Sequence, residues 1–186
     1  AKVKCDAIIF SDFRHGIFNE KTIKLFSSKI KKNVFKVADS QVATRWGNIS
    51  EFTNFDLITP NEREARFCLA DQDSSIGVLS AKLRDTTKFK NLILKLGSKG
   101  VLCVGKKNSD QYFNFDSFAE NVLDPVGAGD ALLSYATLVY LKTKSLAKAG
   151  LIGSIAAACE CEKDGNIPIK VNDIVEKIEK IEKITN

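Results

Sequence analysis

Short apolar runs alternate with stretches of helical spacing along the whole chain. Asp6-Ala-Ile-Ile-Phe10 carries a short continuous apolar run after Asp6, the pattern of a strand covered on both faces. It ends in the polar loop Ser11-Asp-Phe-Arg-His-Gly16. Over residues 19–31, Ile23, Phe26 and Ile30 are three and four apart and predict a helix. Strands are predicted at Val34–Ala38, stopping at Asp39-Ser-Gln41, and at Phe55–Thr59, stopping at Pro60-Asn61. A helix should start there, with Glu62 and Glu64 in its first turn, where carboxylates suit the helix dipole. Ile76–Leu83 reads as another helix, and Asn91–Leu96 as a strand cut by Gly97-Ser-Lys-Gly100. Val101–Val104 and Gln111–Phe115 resemble antiparallel strands joined by a turn. After Asp124–Asp130 come a long apolar helix to about Leu141 and a small-residue helix from Ala147 to Cys161. A final amphipathic helix carries Val171, Ile174, Val175, Ile178 and Ile181. Strands alternating with helices predict α/β layers around a mainly parallel sheet. Ligands of such folds bind beyond the carboxyl ends of the strands, so the loops at residues 11–16, 39–41, 59–64 and 97–100 should share one face.

Composition narrows the class. With 186 residues, 44% hydrophobic and 27% charged, the chain is neither a disordered tail nor a disulfide miniprotein, and it can bury a core. The net charge of +5 comes from lysines dispersed among acids, which argues against nucleic acid as a partner. No apolar run approaches a membrane span and no signal peptide is visible, so no membrane partner is expected. Five scattered cysteines suggest reduced, mostly buried thiols in a cytoplasmic protein. His15 is the only histidine, which argues against a zinc site. Methionine is absent even from position 1, and the chain runs almost directly into a strand. The expectation is that the natural start lies upstream; removal of an initiator methionine before Ala1 is the alternative.

Several segments carry candidate chemistry. Gly127-Ala-Gly-Asp130 opens a helix, where glycines let an anion approach the first backbone amides. A carboxylate beside such an anion hole suits a base that takes a proton from an attacking hydroxyl. The plainer reading is a glycine turn with Asp130 favouring the helix start. Asn61 and Glu64 can face the same way on a first helical turn, which suits water-mediated binding of magnesium near phosphates; ordinary capping is the plainer reading. Asp12 and Arg14, in a strand-end loop, are candidate substrate contacts. His15 and Trp46 could each bind or simply pack, and the residues do not decide. Gly100–Lys107 nearly matches a P-loop but has strand residues in the loop and Lys107 where a hydroxyl belongs.

Two segments together, Thr59-Pro-Asn-Glu-Arg-Glu-Ala65 and Asp124-Pro-Val-Gly-Ala-Gly-Asp130, strongly resemble the motifs of the C-terminal half of ribokinase-like (PfkB) carbohydrate kinases. Leu96-Gly-Ser-Lys-Gly-Val101 lies between them, where the family has a glycine-containing strand–turn–strand. Ser11-Asp-Phe-Arg-His-Gly16 is similar to a segment of the branch containing the heptose-phosphate kinase of ADP-heptose synthesis. The resemblance implies a three-layer α/β/α sandwich and a single kinase domain over residues 1–186, the C-terminal part of a larger one. The N-terminal lid, the first strands and most sugar contacts of the family are missing.

The resemblance also implies ATP-dependent phosphoryl transfer to a hydroxyl of a sugar or sugar phosphate, with Mg2+. Asp130 matches the base, and Gly127, Ala128 and Gly129 match the anion hole. Asn61 and Glu64 match the motif that organises magnesium and phosphate. Gly97 and Gly100 fall where the family's loop approaches the nucleotide, and Ile152–Cys161 with the loop to Gly165 would flank the adenine. Asp124 and the Val126 carbonyl fit a monovalent cation site, K+ in some relatives. Ala38-Asp-Ser-Gln41 departs from the family's usual Asp-Pro-Lys. Two partner arrangements are compatible with the missing half: a homodimer, or association with the N-terminal portion. The rival function is a non-catalytic, kinase-like nucleotide- or sugar-binding module of a larger protein.

Overall fold

The computed structural model describes residues 4–41, 49–106, 112–165 and 167–185. Six strands and six α-helices alternate for most of the chain. They are β1 (Ala7–Asp12), α1 (Glu20–Lys29), β2 (Phe35–Ser40), β3 (Leu57–Ile58), α2 (Glu62–Leu69), α3 (Ile76–Thr87), β4 (Asn91–Lys95), β5 (Val101–Val104), β6 (Tyr112–Phe115), α4 (Ala128–Thr143), α5 (Leu146–Cys161) and α6 (Val171–Thr185). The strands form one sheet in the order β1-β2-β3-β4-β5-β6. Its first four strands are parallel, with Ala7 opposite Phe35, Val37 opposite Leu57 and Leu57 opposite Asn91. This is the mainly parallel α/β sheet expected from the alternation of apolar runs and helical stretches.

The helix starts follow from local chemistry. Asn19, Asn61, Ser75 and Ser145 each accept a backbone N–H of the first turn, satisfying donors that a helix start leaves without an intrahelical partner. Several boundaries differ from the sequence reading, among them β1, which runs on through Ser11 and Asp12, and α3, which runs on to Thr87. β2 runs on through Asp39 and Ser40, both buried, because polar side chains there find partners at the sheet's end. β3 is only two residues long: Asp56 turns its carboxylate to the Lys36 amide, and Pro60 has no N–H to donate, although its carbonyl still accepts the Lys95 amide. Trp46 and Lys107 lie outside the described residues.

The chain divides into two compact units, Ala1–Lys95 with Cys103–Tyr112, and Leu96–Leu102 with Phe113–Asn186. In the first, Val37, Leu57, Ile58, Leu92, Ile93 and Leu94 are fully buried at the centre of the parallel strands. In the second, α4 and α5 pack closely enough that a Cβ on Gly153 would stand 3.0 Å from the Ala136 Cβ and 3.1 Å from the Leu132 carbonyl oxygen. All five cysteines are free: Cys103 and Cys159 are buried, Cys68 and Cys161 half-buried and Cys5 exposed. Burial pushes the Cys103 thiol up to about 12, as expected of an inert core thiol. Among the described residues no helix is long and apolar enough to cross a membrane.

Candidate functional site

In the first unit, polar side chains gather at the carboxyl ends of β1 to β4. Asp12, the last residue of β1, is 3% exposed. Its Oδ1 accepts the Arg14 amide at 2.9 Å, and its Oδ2 accepts Arg14 Nη1 at 2.7 Å and Ser40 Oγ at 3.1 Å. The two candidate substrate contacts are therefore bonded to each other. Arg14 is held with φ at 61°, in the left-handed region. His15 is exposed in the same loop.

One strand over, Asp39 accepts Lys95 Nζ from the end of β4 and the Thr59 hydroxyl from beyond β3. Asp39, the residue of this segment that keeps the family's pattern, is committed to a largely buried ion pair. Lys95 was not among the residues the sequence singled out; its signal is a lone cation closing an otherwise apolar strand.

Asn61 bridges to Lys95 in parallel register and caps α2. The Glu64 amide donates to Asn61 Oδ1 at 2.7 Å. In return Glu64 Oε2 accepts the Asn61 amide and Oε1 accepts Asn61 Nδ2, both at 2.7 Å. This is a reciprocal capping box. The structure thus realises the plainer reading of Asn-x-x-Glu, and both Glu64 oxygens are engaged. A carboxylate oxygen keeps a second lone pair after one such bond, so the pair can still accept from metal-bound water.

The second unit holds the glycine motif. The Leu123 and Asp124 amides donate to the Cys161 carbonyl, at 2.7 and 3.2 Å. Asp124 Oδ1 then accepts the Val126 amide at 2.9 Å. These bonds fix the turn that leads into Gly127, whose φ of 88° is accessible to glycine at little cost. The chain enters α4 there with no side chain capping the first amides. Although the Ala128 amide donates to the Pro125 carbonyl at 3.3 Å, the dipole of such a helix start favours an anion. Asp130 lies in that first turn.

Glu160 of α5 is a carboxylate that the sequence reading missed, because it sits in a run of small apolar residues. It is 3% exposed, and its Oε1 is buried with no hydrogen-bond partner. Burial raises its pKa; Lys163 opposes that shift, while Asp124 and Asp130 add to it.

Gly97 and Gly100 bracket a short 3-10 turn after β4. A Cβ on Gly97 would meet nothing within 4 Å, whereas one on Gly100 would sit 2.0 Å from the Phe115 carbonyl oxygen. Gly97 therefore borders open space, and Gly100 is required by close packing.

A family profile described as pfkB family carbohydrate kinase matches residues 10–172. The chain belongs to the PfkB family. A curated relative, the bifunctional protein HldE of Sulfurimonas denitrificans, is 25% identical over 185 residues. That match spans 97% of this PfkB chain and 37% of the relative, so the chain covers well under half the relative's length. This agrees with the branch read from Ser11–Gly16. The ribokinase of Thermotoga maritima shares the fold, with a TM-score of 0.74 at 22% identity, over 94% of this chain and 57% of that one. So does phosphofructokinase-2 of Escherichia coli, solved with potassium, with a TM-score of 0.79 at 20% identity, over 95% and 57%. The ribokinase-like architecture expected from the two motifs is thereby established.

Proposed function

We propose that this chain is the nucleotide-binding portion of a kinase that transfers the γ-phosphate of ATP to a hydroxyl of a sugar phosphate, in the class of phosphorylated heptoses. The observation that carries the reading is the start of α4. An uncapped, glycine-flanked helix N-terminus suits a phosphate, and Asp130 in the same turn suits a base. A module that only bound phosphate would gain nothing from a carboxylate there, since like charges repel.

In this reading Asp130 takes the proton of the acceptor hydroxyl. The amides of Gly127, Ala128 and Gly129 neutralise the charge that develops on the transferring group. Asn61 and Glu64 hold the water shell of a magnesium ion, which when bound screens the phosphate charges. Gly97 lets the chain pass close to the nucleotide. A monovalent cation fits beside Asp124 and the Val126 carbonyl.

The test is a Mg·ATP-dependent screen of sugars and sugar phosphates, with Asp130→Asn as the control. The variant should lose about 10²- to 10⁴-fold in turnover while still binding Mg·ATP. Unchanged turnover would remove Asp130 from its role.

A further inference from the structure

Phe118 packs against the core between α5 and α6. From there the chain runs to the start of α4 without strand or helix. Apolar burial does not place this stretch, because Val122, Leu123 and Val126 are all exposed. Hydrogen bonds place it instead. The Cys161 carbonyl takes the Leu123 and Asp124 amides, and Asp124 Oδ1 takes the Val126 amide.

A further hold comes from α6. Lys177 is 6% exposed, and an ammonium so buried is costly unless opposite charge and hydrogen bonds answer it. Its Nζ donates to Glu162 Oε1, just past the end of α5, at 2.7 Å and to Glu120 Oε1 at 3.3 Å. The same Glu162 oxygen accepts the Glu120 amide at 2.7 Å, and Lys180 Nζ donates to Glu120 Oε2 at 2.6 Å. Glu120 is thus held at both its amide and its carboxylate. Without the Lys177 ammonium, the Glu120 and Glu162 carboxylates would face each other and repel. Glu120, on the exposed side, would move out and take its amide off Glu162.

This charge is not needed to pack the helix. Ile174 is buried in the α5–α6 core, and Ile178 packs against it. We infer that Lys177 is a positioning residue for the turn into α4: by neutralising Glu120 and Glu162 it fixes residues 120–126, and with them the arrangement of the Gly127, Ala128 and Gly129 amides. That these amides take phosphate rests on the function proposed above. The family profile stops at residue 172, so the contribution comes from a helix almost wholly outside the matched region.

The experiment compares the full 186-residue chain as wild type, Lys177→Met and the double variant Lys177→Met/Glu162→Gln. Methionine keeps an unbranched apolar stem. Glutamine removes the repulsion and keeps an oxygen for the Glu120 amide. In Lys177→Met the Leu123, Asp124 and Val126 amides should exchange with solvent about 10-fold faster, while those of Ala136 and Ala156 inside α4 and α5 keep the wild-type rate. Calorimetric affinity for Mg·ATP should fall about 10-fold, as on loss of a supporting partner behind a binding group. The double variant should recover most of both losses. Unchanged exchange at 123, 124 and 126, or faster exchange throughout both helices, would overturn the inference. So would a local rise in exchange with Mg·ATP affinity intact, since the segment would then move without disturbing the amides. No binding by the wild type would instead sink the phosphate reading, and the exchange rates alone would decide whether Lys177 holds the turn.

Discussion

Lys95 Nζ donates to both carboxylate oxygens of Asp39, at 3.0 and 3.1 Å, joining the ends of β4 and β2 across the short β3. Both side chains are largely buried, 17% and 6% exposed. Breaking a buried pair from one side costs far more than the pair itself contributes, because a charge is left behind without its partner. Lys95→Met should therefore destabilise the protein by about 3 kcal/mol. Adding Asp39→Asn should recover much of that loss. Urea unfolding of the two variants checks this, and a double variant no better than the single would rule out the buried charge as the cause.

The two glycines of the turn after β4 should respond very differently to the same methyl group. Gly100→Ala places a Cβ 2.0 Å from the Phe115 carbonyl oxygen at a φ of 83°, so the turn must open. A loss above about 3 kcal/mol is expected. Gly97→Ala pays mainly for its positive φ, on the order of 1 kcal/mol. Thermal unfolding separates the two; in the proposed role, Gly97→Ala weakens ATP binding in a folded protein.

Asn61 and Glu64 combine capping with a proposed magnesium role, and two substitutions pull these apart. Asn61→Ala removes the acceptor for the Glu64 amide and should cost roughly 1 kcal/mol of stability. Glu64→Gln keeps a side chain that can still accept the Asn61 amide. It sets its NH2 against Asn61 Nδ2 and so loses one of the two bonds, at roughly 1 kcal/mol, while its magnesium-dependent activity should fall about 10- to 100-fold. Denaturation curves beside a magnesium titration give both readouts. Full activity in Glu64→Gln would leave the pair with capping alone.

Much of this was legible in the chain, and particular residues show why. The short apolar run at residues 7–10, bounded by polar residues, and the three-and-four spacing of Ile23, Phe26 and Ile30 placed β1 and α1. Asn61 marked the start of α2, since an amide three residues ahead of a glutamate has a local partner wherever the helix lies. Long-range partners left no such trace. Nothing local ties Lys95 to Asp39, which are 56 residues apart. Arg14 and Asp12 were read as two candidate substrate contacts, but two residues apart they bond to one another. Glu160 was hidden among alanines and cysteines, and only its burial within the second unit distinguishes it.

The most direct test of the central claim is calorimetric titration of the 186-residue chain with Mg·ATP, wild type beside Gly129→Val. The start of α4 is formed within its own compact unit, so the wild-type chain is expected to bind. A side chain at Gly129 blocks the approach of phosphate to the amides, so the variant should not bind. No binding to wild type, or equal binding by both proteins, would contradict the assignment of this helix start as the phosphate site.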